Sequence, residues 1–179
     1  MLEATTGGGL VRARILNGLR RQYQGLAEAA PARPIVLWFD ACLFDMAMLA
    51  HILACLRVER ARNVALLCID AFPGIEPYHG LGQLRPDQLA SCFARRRPVT
   101  AAQFDFAVDV DRVFAEQDLD ALSRMSRMAA SPLPWMPDAA ARWIAEQPDP
   151  ATGLGRLATL ALDAIRSGCA TPAAIFAAV

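Results

Sequence analysis

The runs Pro34-Ile35-Val36-Leu37-Trp38-Phe39-Asp40 and Val64-Ala65-Leu66-Leu67-Cys68-Ile69-Asp70 decide the reading of this chain. Each is short, apolar throughout and closed by an aspartate. An apolar segment of helical length, about Leu43 to Arg57, joins them. This spacing predicts a strand, a right-handed crossover helix and a parallel strand. Uniformly apolar strands are expected where both faces of a sheet are covered, and the helix, apolar nearly all round, should be buried as well. The expected fold class is therefore α/β: a small parallel sheet, a Rossmann-like half-unit, with a helical C-terminal half. Only two strands are legible, and a two-stranded sheet is marginal in water. Either another segment adds a strand or a partner subunit completes the sheet.

On the N-terminal side, residues 1–9 contain Thr5-Thr6-Gly7-Gly8-Gly9 and are expected to be disordered. Residues 10–97 read as the α/β core, opened by an amphipathic helix over Leu10 to Ala30 with Leu16, Leu19, Tyr23 and Leu26 on one side. Pro86 suits the first turn of a helix reaching Arg96. Residues 98–147 read as a helical extension: Thr100 caps a helix to about Gln117, a second covers Leu119 to Ala130, and a third covers Pro137 to Gln147. Residues 148–179 follow a Pro148–Gly153 linker as a helical pair, similar to an incomplete helix-turn-helix. Its last helix, Ala173 to Val179, has no basic or amide side chain to reach phosphate or a base edge, so DNA binding is not expected. Ile175 and Phe176 suit packing instead.

Composition narrows the function classes. The 179 residues are 55% hydrophobic and carry 18 basic and 18 acidic side chains, a formal net charge of zero. No global charge draws the chain to nucleic acid or to an anionic membrane. So apolar a chain without net charge points to buried subunit contacts, hence a homo-oligomer. The five cysteines are too widely spaced for a zinc ribbon or a redox pair, and no basic-then-apolar leader is legible. A cytoplasmic protein with reduced thiols and no membrane partner is the expectation.

Three groups of residues could carry chemistry. Asp40, Asp45 and Asp70 fall at or just past the strand ends, where open α/β sheets place their ligand crevice. There they could hold a magnesium ion bearing phosphate or water; equally, Asp40 could cap the crossover helix while Asp45 sits in its first turn. His79 and the loop Gly80-Leu81-Gly82-Gln83 come next. The glycines allow close backbone approach to a ligand, and His79 could exchange a proton with an aspartate. A tight connection to the Pro86 helix would use the same residues. Arg95-Arg96-Arg97 suits a helix C-terminus, where cations meet exposed carbonyls. His51, on an apolar helix, reads as a core or interface histidine. No serine, cysteine or histidine set has the spacing of a nucleophilic site.

The residues Leu37-Trp38-Phe39-Asp40-Ala41-Cys42-Leu43-Phe44-Asp45, Phe72-Pro73-Gly74, Gly80-Leu81-Gly82-Gln83-Leu84, Pro86-Asp87-Gln88-Leu89-Ala90 and Arg97-Pro98-Val99-Thr100 form one colinear pattern. It resembles an uncharacterised bacterial family, the domain of unknown function numbered eighteen thirty-five. The resemblance implies a fold more than an activity, because the family has none established. Ala41 and Cys42 stand where typical members have a histidine and an acid. Gly155, Leu157, Ala158 and Thr159 surround a retained Arg156 where members carry a polar run. Members also extend further at both ends. The resemblance thus implies a shortened, partly degenerate member.

Three functions follow as expectations. The first is a small-ligand or partner-binding module without robust catalysis, using Asp40, Asp45, Asp70, His79, Gly80, Gly82 and Gln83, its ligand unspecified. The second is a metal-assisted hydrolase or phosphoryl-handling enzyme with Asp40, Asp70 and His79 as its catalytic groups. The third is a regulatory protein acting through its helical tail.

Overall fold

The computed structural model describes residues 11–179. The expected disorder of residues 1–9 lies outside them. The described elements run α1 (Arg12–Ala29), β1 (Ile35–Asp40), α2 (Leu43–Val58), β2 (Val64–Ile69), α3 (Pro86–Cys92), β3 (Arg97–Pro98), α4 (Ala101–Glu116), α5 (Leu119–Met125), α6 (Met136–Ala145), α7 (Arg156–Arg166) and α8 (Pro172–Ala178). The fold is mixed α/β with a helical C-terminal half. No helix among the described residues is long and apolar enough to cross a membrane.

β1 and β2 pair in parallel, with Ile35 opposite Val64 and Asp40 opposite Ile69. The third strand that the pattern required is β3, which pairs antiparallel to β2 and makes the order β1-β2-β3. It is only two residues long and contains Pro98, a residue tolerated at a sheet edge because it has no N–H to give the ladder. Arg97 therefore belongs to a strand, not to a helix end. The guanidinium of Arg96 does meet a helical carbonyl, donating to Phe93 O at 2.8 Å.

Strand alternation sorts the core into two layers. Leu37, Phe39, Val64 and Leu66 face the helical side, where Met46, Leu49 and Leu53 of α2 meet Ala107 and Val110 of α4 and Met136 and Ala139 of α6. Residues 98–147 thus share one core with the α/β half. On the opposite face, Leu67 and Ile69 pack with Leu84 and Cys92, and with the partly buried Trp38, Tyr78, Leu81 and Leu89. Both strand faces are covered, which explains why no polar residue interrupts them before the terminal aspartates.

α2 departs from its expected complete burial. Met46, Leu49, Leu53 and Leu56 have no exposure, but Phe44 is 77% exposed and Met48 55%. The sheet, α4 and α6 cover the rest of the helix, and the stripe one turn apart, Phe44 and Met48, is left over. The other helices follow local chemistry. Thr100 Oγ1 accepts from Gln103 N at 3.2 Å and opens α4; Thr171 Oγ1 accepts from Ala174 N at 3.2 Å and opens α8. α5 stops at Met125, earlier than the expected Ala130, because Arg127 and Met128 turn back onto Arg124 O and Met125 O in a tighter geometry.

Candidate functional site

The strand-end aspartates and the glycine loop meet, and they meet each other. The carboxylate of Asp40, half-buried at the end of β1, accepts from Tyr78 OH at 2.9 Å and from Leu81 N at 2.9 Å on Oδ1. Leu81 N also reaches Oδ2 at 3.0 Å. Gly80 is buried with φ +143°, and a Cβ built there would lie 2.6 Å from Asp40 Oδ2. Only glycine lets the backbone close on the carboxylate in that conformation. The loop is stapled internally as well: Gln83 Oε1 accepts from His79 N at 2.5 Å, and Gln83 Nε2 donates to Pro77 O at 3.2 Å. The two strongest signals in the sequence are thus the two halves of one latch.

Asp40 does not cap the crossover helix. Cys42 occupies the N-cap of α2 and makes no capping hydrogen bond through its side chain. Asp45, in the first turn, accepts instead from Asp40 N at 2.7 Å and fixes the strand-to-helix turn. Asp70 is exposed and takes a hydrogen bond from Trp135 Nε1 at 3.2 Å, which ties the segment before α6 to the sheet edge.

Asp40, Asp70, His79 and Gly80 line one small cleft of about 100 Å³ together with Ala41, Cys42 and Tyr78. Asp45, Gly82 and Gln83 lie outside its lining and serve the turns around it. Ala41 and Cys42 also line a second cavity of about 620 Å³, walled by Phe44, Ala139, Arg142, Glu146 and Leu157. Its far wall depends on Gly155. A Cβ there would collide with the carbonyl of Glu146. Without one, the chain comes close enough for Leu157 N to donate to Glu146 Oε2 at 3.0 Å, while Arg142 pairs with Glu146 at 2.8 Å. The walls come from α2, α6 and α7, residues as much as 114 positions apart (Leu43 to Leu157), and no local motif announces them.

Burial, and after it the hydrogen bond to Asp40, holds the Tyr78 phenol above its ordinary range. Burial also pushes the Cys68 thiol up to about 12, with Asp70, Asp40 and Asp45 adding repulsion. Both groups are therefore neutral at pH 7. Cys42, in contrast, is exposed at the junction of the two cavities. Among the described residues, no three His, Cys, Asp or Glu side chains converge to hold a metal ion. No family model, curated protein or solved structure matches the chain.

Proposed function

We propose that the chain is a small-ligand-binding α/β module without robust catalysis, and that its site is the crevice at the C-terminal edge of the parallel strands. One observation carries this reading: the cavities of about 100 Å³ and about 620 Å³ adjoin at Ala41 and Cys42, at the strand-to-helix turn. Their combined size suits a small molecule. The carboxylates of Asp40 and Asp70 in the cleft and of Asp138 beside the larger cavity favour a cationic head, and the apolar walls from Phe44, Ala139 and Leu157 favour an apolar body. Hydrolysis through Asp40, Asp70 and His79, with or without magnesium, is the weaker reading, because the Asp40 oxygens are already engaged by Tyr78 and Leu81.

Benzylamine combines those two chemistries and serves as the probe. Its binding should slow the modification of Cys42 by a thiol reagent, with ammonium less effective. Unchanged Cys42 reactivity at millimolar benzylamine would defeat the proposal.

A second reading, a regulatory protein acting through its tail, has its own support. Phe176 is 88% exposed, and α8 contains no buried residue. Truncation before Thr171 that leaves stability intact but removes self-association, seen by sedimentation, would favour it. We further propose membership of the uncharacterised bacterial family named above, on the strength of the Gly80–Leu84 block and its fit against Asp40.

A further inference from the structure

Away from the strand-end crevice, a cavity of about 490 Å³ lies between α1, β1 and α2. Leu26, Leu37, Met48 and Ile52 wall it, and among the described residues no Lys, Arg, Asp or Glu lines it. Gln22 contributes a neutral amide, and Tyr23, His51 and Cys55 supply the other polar groups. Those three are not independent. Asp111, from α4, accepts from His51 Nδ1 at 2.9 Å. A carboxylate there requires the proton on Nδ1, so the neutral imidazole presents Nε2 as an acceptor. Tyr23 OH donates to that nitrogen at 2.6 Å, and Cys55 Sγ lies 3.7 Å from it. Burial and the nearby Asp111 hold the Cys55 thiol neutral.

Beside the neutral Gln22 amide, the lining therefore offers an apolar volume whose hydrogen-bonded chain ends in one acceptor. That acceptor is the Tyr23 oxygen, or His51 Nε2 where a ligand hydroxyl replaces the tyrosine. A charged ligand would find no counter-charge on the walls, and a pure hydrocarbon would leave the acceptor unused. α1, the outer wall, has no buried residue, and Tyr23 is about half exposed, so the acceptor end lies near solvent. We infer that this cavity is a second binding site, for a small neutral apolar alcohol or phenol whose hydroxyl donates to the Tyr23–His51–Asp111 chain. The inference is independent of the reading of the strand-end crevice, which shares no lining residue with this cavity.

Methyl NMR titration of the full chain tests it, with para-ethylphenol, ethylbenzene and para-ethylbenzoate as probes. Saturable shifts at Leu37, Met48 and Ile52 are expected with para-ethylphenol. Affinity should be about tenfold weaker for ethylbenzene, the equivalent of one lost hydrogen bond, and weaker still for the benzoate. Ile52→Trp should fill the cavity and abolish the shifts. Should that variant fail to fold, His51→Phe should remove the preference for para-ethylphenol over ethylbenzene. The inference is overturned by the absence of saturable shifts, or by equal affinity for the phenol and the hydrocarbon. Shifts at the same methyls on dilution, with none on adding the phenol, would also overturn it, by showing that a second copy of the chain covers this surface.

Discussion

The latch around Asp40 and the Tyr23–His51–Asp111 chain are built from similar parts, a phenol donating into a polar partner beside an apolar cluster, yet they differ in what surrounds them. At Asp40 the carboxylate receives a phenol and a backbone N–H, the loop closes over a buried glycine, and the cleft beside it is only about 100 Å³, the larger cavity beginning beyond it at Ala41 and Cys42. Around His51 the hydrogen bonds are as short, but the side chains of His51 and Asp111 remain 43% and 32% exposed and open space of about 490 Å³ adjoins them. A satisfied polar group sealed under a loop stabilises the fold. The same group left beside a cavity has room for a ligand. Residue type alone does not separate the two cases; burial and adjacent volume do.

The strongest way to break this contrast is Gly80→Ala. It forces a Cβ into the Asp40 carboxylate at a left-handed φ, and should cost about 2–4 kcal/mol in urea unfolding. Gly82→Ala, with open space around its Cβ, should change stability by less than about 0.5 kcal/mol. Equal losses at the two glycines would show that the latch does not hold the loop. Asp40→Asn comes next. It keeps one acceptor oxygen but removes the charge, and should cost about 1–3 kcal/mol.

Phenol deletions compare the two regions directly. Tyr78→Phe should cost about 1 kcal/mol, since it leaves a half-buried carboxylate short of a donor. Tyr23→Phe, at an exposed pair, should cost no more than about 0.5 kcal/mol. Comparable losses would erase the distinction between the latch and the Tyr23–His51–Asp111 chain.

High pH sharpens it. Tyr78 holds its proton more tightly in the folded chain than in the unfolded one, which releases it near the ordinary value of about 10. Its contribution is thus complete below about pH 10 and declines as pH rises from there toward the folded-state value. Cys68 acts in the same direction from about 9 toward about 12. Urea midpoints should therefore fall as pH rises above about 9, and fall less steeply above about 10 in Tyr78→Phe. A midpoint with the same slope in both proteins would remove Tyr78 from the account.

Much of the fold was legible because its signals are local. Two apolar runs ending on aspartates, a proline at the first turn of α3, and Thr100 and Thr171 before their helices each act within a few residues. β3 was not legible, since two residues carry no alternation and an arginine run resembles a helix end. Nor was the exposed Phe44 and Met48 stripe, because a sequence cannot say which side of α2 its neighbours leave uncovered.

The candidate sites divide in the same way. Asp40 and Gly80 stood out in the sequence as chemistry-bearing types, but the hydrogen bonds from Tyr78 and Leu81 join residues 38 and 41 positions away. His51 could be recognised only as a histidine on an apolar helix. Its meeting with Asp111, 60 positions on, comes from the packing of α4 against α2. By itself, then, the sequence determined the strand-helix-strand unit, most helix starts and the place where the strands end, because these depend on short-range pattern and capping. Tertiary structure alone decided which polar groups satisfy one another and which are left beside a cavity, because that is settled by long-range packing and by the volume the packing leaves open.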